Sequence, residues 1–175
     1  LIIGYTEEKS GITKRMEVSR LCHYSGQVIA AIFHFMDQIV DCMEAALQEE
    51  LFLVYYQPKH DLRSNKTGGA EALVRWTHPD YGFMNPGMFI PMFEENGFIK
   101  HMDAYIREET CRMLSECKEK GYPLIPVSVN ISRRDFEEED FVESIIALTE
   151  KYGLEHSLLH LEVTESCYVD NPEKI

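Results

Sequence analysis

The chain lacks a CxxC pair among its five cysteines and an HExxH motif among its seven histidines. Five is an odd number, so a closed disulfide framework is excluded, and the spacings fit no structural zinc site. Cys22, Cys42, Cys111, Cys117 and Cys167 therefore read as reduced thiols of a cytoplasmic protein. Long apolar runs are missing too. The longest, Val28 to Met36, contains His34 and is too short to cross a bilayer, and no secretory signal pattern is visible. Basic residues are scarce, with 17 Lys and Arg against 30 Asp and Glu and a formal net charge of −13. That balance excludes a sequence-independent grip on duplex nucleic acid, which relies on Lys and Arg. A phosphate ligand stays compatible with an acidic chain if divalent cations stand between the two.

What is present is an ordinary soluble composition, 45% hydrophobic and 27% charged, in 175 residues, enough for one domain with a substantial core. The chain starts at Leu1 and stops at Ile175 after an expected loop, and reads as a piece of something longer. Residues 1–36 do not share the strand and helix pattern of the remaining chain. They are expected to be a linker or the tail of a preceding domain, with residues 37–175 forming the next one. Asp37 to Glu50 is an amphipathic helix with Ile39, Val40, Met43, Ala46 and Leu47 on one face. Leu51 to Gln57 reads as a strand ended by Pro58, and Thr67 to Trp76 as a second. The polar turn between them, Asp61 to Lys66, is short enough to make the two antiparallel neighbours.

Beyond a loop rich in turn residues, a short helix is expected at Met88 to Glu95, stopped by Asn96-Gly97. A long helix runs from Met102 to Lys120, with Met102, Tyr105, Ile106, Met113, Leu114 and Cys117 inward. Leu124 to Ile131 reads as a strand buried on both faces. Ser132 and Asp135 are expected to cap a helix reaching Tyr152, with Phe141, Val142, Ile145, Leu148 and Tyr152 inward. Leu158 to Thr164 is the next strand. Strand, helix, strand, helix, strand with crossover-length connections implies an α/β fold with a parallel sheet. No Gly-rich turn comes after the first strand, so a (β/α) barrel is preferred over a dinucleotide-binding sheet. A whole barrel takes about 250 residues, so the chain holds about half of one.

Gly69 to Trp76 is the stretch with an unusual demand. Alternation sends Glu71, Leu73 and Arg75 to one face of the strand and Ala70, Ala72, Val74 and Trp76 to the other. Glu71 and Arg75 either form a solvated ion pair, as surface pairs commonly do, or face a ligand. Two further strands end in oxygen donors, Asn130 and Glu162, the latter set between Leu161 and Val163. Asn130 can equally be a turn residue leaving its strand, and Glu165 a solvated loop acid. At the strand ends of a barrel such groups line the active-site mouth, and two carboxylates with a carboxamide suit Mg²⁺ or Mn²⁺ better than zinc. Arg75, with Gln57 closing the first strand, then suits a phosphate.

At these residues the chain resembles the EAL domain family of cyclic di-GMP phosphodiesterases. The likeness rests on Glu71-Ala72-Leu73 together with Tyr55-Tyr56-Gln57-Pro58-Lys59, Phe89-Ile90-Pro91, Val127 to Ser132 and Leu161 to Ser166, in family order. It implies a TIM-type barrel with an antiparallel first strand, of which this chain is a part. It also implies metal ligands at Glu71, Asn130 and Glu162, dinucleotide contacts at Gln57, Leu73 and Arg75, and at Glu165 a residue supporting catalysis by anchoring a loop. The implied reaction is attack of water on one phosphodiester of cyclic di-GMP, assisted by Mg²⁺ or Mn²⁺. The family's aspartate pair, lysine and later acids lie in the second half of the barrel, so the 175 residues alone are expected to bind metal poorly and not to turn over substrate. A non-catalytic receptor or scaffold is the alternative, and an unrelated Mg²⁺-dependent barrel enzyme a third. Residues 1–36 resemble the tail of a GGDEF domain without its signature. The resemblance further suggests a homodimer through the EAL domain and a full-length protein that is cytoplasmic or tethered to a membrane upstream.

Overall fold

Ala70, Ala72, Val74 and Trp76 are buried, while Glu71, Leu73 and Arg75 on the opposite face are half-buried. This alternation organises the sheet in the computed structural model, which describes residues 2–3, 16–17, 25–135 and 138–163. Two-residue strands β1 (Ile2–Ile3) and β2 (Met16–Glu17) pair with each other. Helix α1 (Ser25–Gln48) leads into β3 (Phe52–Asp61), β4 (Lys66–His78) and β5 (Gly82–Met84). Then come α2 (Pro86–Asn96), α3 (Ile99–Glu119), β6 (Val127–Ile131), α4 (Phe141–Lys151) and β7 (Leu159–Val163). The main sheet runs β3-β4-β6-β7, with β5 added to β4. Strands β4, β6 and β7 are parallel and β3 is antiparallel to β4. The result is an open, partial (β/α) barrel with an antiparallel first strand. Among the described residues no helix is long and apolar enough to cross a membrane.

The core lies between the outer face of the sheet and the helices. Trp76, Phe52, Phe89 and Phe93 are fully buried, with the Trp76 ring 5.1, 5.3 and 5.7 Å from the other three centroids. Aromatic contacts of this kind add about 0.5–1.5 kcal/mol each beyond area burial. Pro86 begins α2 behind the Asn85 cap, whose side chain accepts the Gly87 N–H, and Gly97 ends it at φ 85°.

Several boundaries differ from those expected of the sequence, each for a physical reason. The first helix is one unit from Ser25, so Ser25-Gly26 marks its start rather than a break and it runs through residue 36. Pro58 does not end β3. Its partner Ala70 turns its N–H to the Pro126 carbonyl on the opposite side, 3.0 Å away, so Pro58 sits where no donor is required of it. Residues 82–84, expected as loop, form β5. Strand β6 starts only after Pro126, and its Asn130 is exposed while its other four residues are buried. Ser132 and Asp135 do not cap a long helix, because Asp135 folds back onto Ser132 and Arg107, and α4 begins at Phe141. Val142 is 62% exposed instead of inward, and Leu161 and Val163 are also exposed on β7, the far edge of the described sheet.

Gly69 lies against the Pro126 backbone just ahead of β6. A Cβ there would lie 3.0 Å from the Pro126 carbonyl oxygen, whereas one at Gly68 would meet only Asp61 Cβ at 3.6 Å. Gly69→Ala is expected to cost about 1–3 kcal/mol, as overpacking does, and Gly68→Ala clearly less. Urea denaturation of the two variants decides it, and equal losses would show that the strand spacing adapts freely.

Candidate functional site

The inner, concave face of the sheet is built by alternation and register together. Gln57 lies directly across from Glu71, and Tyr55 across from Leu73. Glu71 is level with Ser128 on β6, and Asn130 is level with Glu162 on β7. One face of four strands therefore carries Gln57, Glu71, Leu73, Arg75, Asn130 and Glu162. Glu165 lies outside the described residues.

Glu71 and Arg75 do not pair with each other. Glu71 Oε1 accepts a hydrogen bond from Asn130 Nδ2 at 3.3 Å. Arg75 Nη1 donates to the Val74 carbonyl at 2.8 Å, and its guanidinium stands 5.8 Å from the centroid of the Tyr55 ring. Among the described residues, most of its five donors have no other acceptor and are available for an anion. Gln57 is exposed and Leu73 half-buried between Glu71 and Arg75, an apolar surface beside the polar groups.

Glu162 has a partner that sequence reasoning missed. Lys59 Nζ pairs with Glu162 Oε1 and also donates to Ser128 Oγ at 3.0 Å. The hydrogen bond from Lys59 is the main reason the Glu162 carboxyl lies below its ordinary range, with a further lowering from Ser128. A strand ended at Pro58 hides this contact. One continued through Pro58 puts Lys59 on the face of Gln57, two residues on.

Behind Asn130, the exit of β6 is held by buried charge. Asp135 Oδ2 accepts from Ser132 N at 3.0 Å and Ser132 Oγ at 3.1 Å, and Asp135 Oδ1 pairs with Arg107 Nη1 at 3.0 Å. Asp103 lies beside them, with Oδ2 buried and without a hydrogen-bond partner. Burial and then the neighbouring Asp135 push its carboxyl up to about 8. A cavity of about 160 Å³ opens between this cluster and the site, bordered by Leu73, Arg75, Asn130, Ser132 and Asp103.

Two carboxylates and a carboxamide are hard oxygen donors of the kind that Mg²⁺ and Mn²⁺ prefer. Among the described residues no three His, Cys, Asp or Glu side chains converge tightly enough to hold a metal ion by themselves. Glu71, Asn130 and Glu162 would therefore need further ligands to hold such an ion.

The chain is similar to known proteins. The signaling protein YkoW of Bacillus subtilis is 38% identical over 129 residues, covering 74% of this chain and 16% of that protein. The cyclic di-GMP phosphodiesterase PA2567 of Pseudomonas aeruginosa is 34% identical over 121 residues, covering 69% and 20%. This chain therefore spans a fifth or less of these relatives. The solved structure of the PaMucR phosphodiesterase in complex with c-di-GMP superposes with a TM-score of 0.72 at 32% identity, covering 78% of this chain and 55% of that one. The EAL domain model matches residues 41–175, from the second half of α1 onward, and the chain belongs to the EAL domain family.

Proposed function

We propose that this chain supplies the N-terminal part of the catalytic pocket of a divalent-metal-dependent phosphodiesterase that hydrolyses cyclic di-GMP to linear pGpG. The observation that carries the reading is the meeting of Glu71, Asn130 and Glu162 on one face of three parallel strands, with Arg75 beside them. The kinship with proteins named as cyclic di-GMP phosphodiesterases supports it. Glu71, Asn130 and Glu162 would hold Mg²⁺ or Mn²⁺. Such an ion, when bound, would activate water and neutralise charge at the phosphorus. Arg75 would grip a phosphate through its unused donors, and Gln57 and Leu73 would border the dinucleotide. Glu165 would support catalysis by anchoring a neighbouring loop. We assign residues 1–36 to a linker or the tail of a preceding GGDEF-like domain, the protein to the cytoplasm and its assembly to a homodimer through this domain.

The test incubates the full-length protein that contains this chain with cyclic di-GMP and Mn²⁺ or Mg²⁺ and resolves the products by chromatography. The expected result is pGpG formation that disappears with EDTA and in Glu71→Gln. Binding of cyclic di-GMP in Ca²⁺ with no product in either Mg²⁺ or Mn²⁺ would establish a receptor in place of an enzyme.

A further inference from the structure

Lys59 crosses the floor of the concave face. It starts on the edge strand β3, directly opposite Gly69, which presents no side chain in its way, and reaches Ser128 on β6 and Glu162 on β7. No other basic side chain among the described residues pairs with Glu71 or Glu162, and Glu71 is held instead by the neutral Asn130. Each of the two carboxylates expected to take a metal is thus already engaged, one by an amide and one by a fixed positive charge.

Resting on the metal-dependent reading above, we propose that Lys59 is the resident counter-charge of this site, a positioning residue that orders Glu162 and competes with the divalent cation for it. A cation approaching Glu162 meets both the occupied Oε1 and the adjacent ammonium charge. It binds only as Lys59 swings off the carboxylate, and Ser128 Oγ remains as a second acceptor for the displaced ammonium. The lysine thereby weakens metal affinity while keeping Glu162 aimed inward between metal-bound states. Glu162 and Lys59 are both about two-fifths exposed, so the ammonium can move without opening the core.

The test is calorimetric titration of the full-length protein containing this chain with Mn²⁺ alone, at fixed pH and ionic strength, for the parent, Lys59→Met and Lys59→Arg. Removing one positive charge at this range in a partly solvated site is expected to tighten Mn²⁺ binding about tenfold. Lys59→Arg, which keeps the charge, is expected to stay within about twofold of the parent. A purely structural role would lower affinity or leave it unchanged in Lys59→Met, and either result with a parent that binds Mn²⁺ overturns the proposal while leaving the phosphodiesterase reading standing. If neither the parent nor Lys59→Met binds Mn²⁺, the metal site fails and the counter-charge with it. Thermal melts without metal identify a variant that does not fold, in which case Lys59→Gln takes its place under the same criteria.

Discussion

Replacing Arg107 by methionine is expected to lower the unfolding free energy by about 3–5 kcal/mol, the usual result of removing one partner from a buried ion pair. Arg107 and Asp135 are 8% and 1% exposed at the side chain, with Nη1 and Oδ1 3.0 Å apart. Methionine fills the volume of the stem but leaves the Asp135 carboxylate charged and uncompensated. The arginine also packs its guanidinium 5.2 Å from the centroid of the Phe141 ring, at the first residue of α4, so helix docking suffers as well. Urea denaturation followed by the fluorescence of Trp76, the one tryptophan, measures the loss. Combining Arg107→Met with Asp135→Asn removes the stranded charge while the amide oxygen can still accept the Ser132 N–H. The double variant is therefore expected to regain at least about 1 kcal/mol over Arg107→Met alone, a coupling that a mutant cycle isolates. A loss below about 1 kcal/mol for Arg107→Met would mean that water reaches Asp135 and that the pair contributes little.

Asp103 leads to a pH dependence of unusual sign for a carboxylate. Its folded carboxyl titrates at about 8, raised by burial and by Asp135, against about 3.9 in the unfolded chain. Between those values the folded state holds a proton that the unfolded state has lost. The contribution is therefore fully present below about pH 4, falls as pH rises and is gone above about pH 8, at a limiting slope of about 1.4 kcal/mol per unit. Asp103→Asn is expected to abolish this slope and to be more stable than the parent at pH 8, with most of the difference gone at pH 5. Urea denaturation of both proteins at the two pH values reads it directly. Parallel profiles would show that Asp103 is ionised and solvated in the folded protein.

Much of the fold and of the candidate site is legible in the residues because the features involved are local and periodic. Period-two alternation in Gly69 to Trp76 separates the core face from the functional face without reference to any other strand. Asn96-Gly97 ends α2 where a left-handed glycine must, and the short polar turn makes β3 and β4 antiparallel. The oxygen donors at Asn130 and Glu162 stand out against apolar strands. What is not legible depends on what lies beside a residue. Pro58 reads as a strand end from its own chemistry, yet the edge position of β3 removes the need for its missing N–H and carries the strand on to Lys59. Ser132 and Asp135 read as a helix cap, yet a buried arginine one helix away captures Asp135 first. Asp103 and Arg107 on α3 are buried at the exit of β6, and helical periodicity alone does not place two charges where a strand exit will need them.

The motif around Glu71 thus has two origins. The sequence by itself determined that Glu71, Leu73 and Arg75 share one strand face, that Asn130 and Glu162 end two more strands, and that the chain is part of an α/β barrel of the EAL family. The shared face comes from side-chain period along one strand, the barrel from the order of strands and helices, and the family from the resemblance carried by the motifs. Only the tertiary structure decided that Glu71 and Arg75 ignore each other, that Asn130 takes Glu71, and that Lys59 takes Glu162. Partner choice among charged groups is set by register between strands, and a one-residue slip of that register reverses every face.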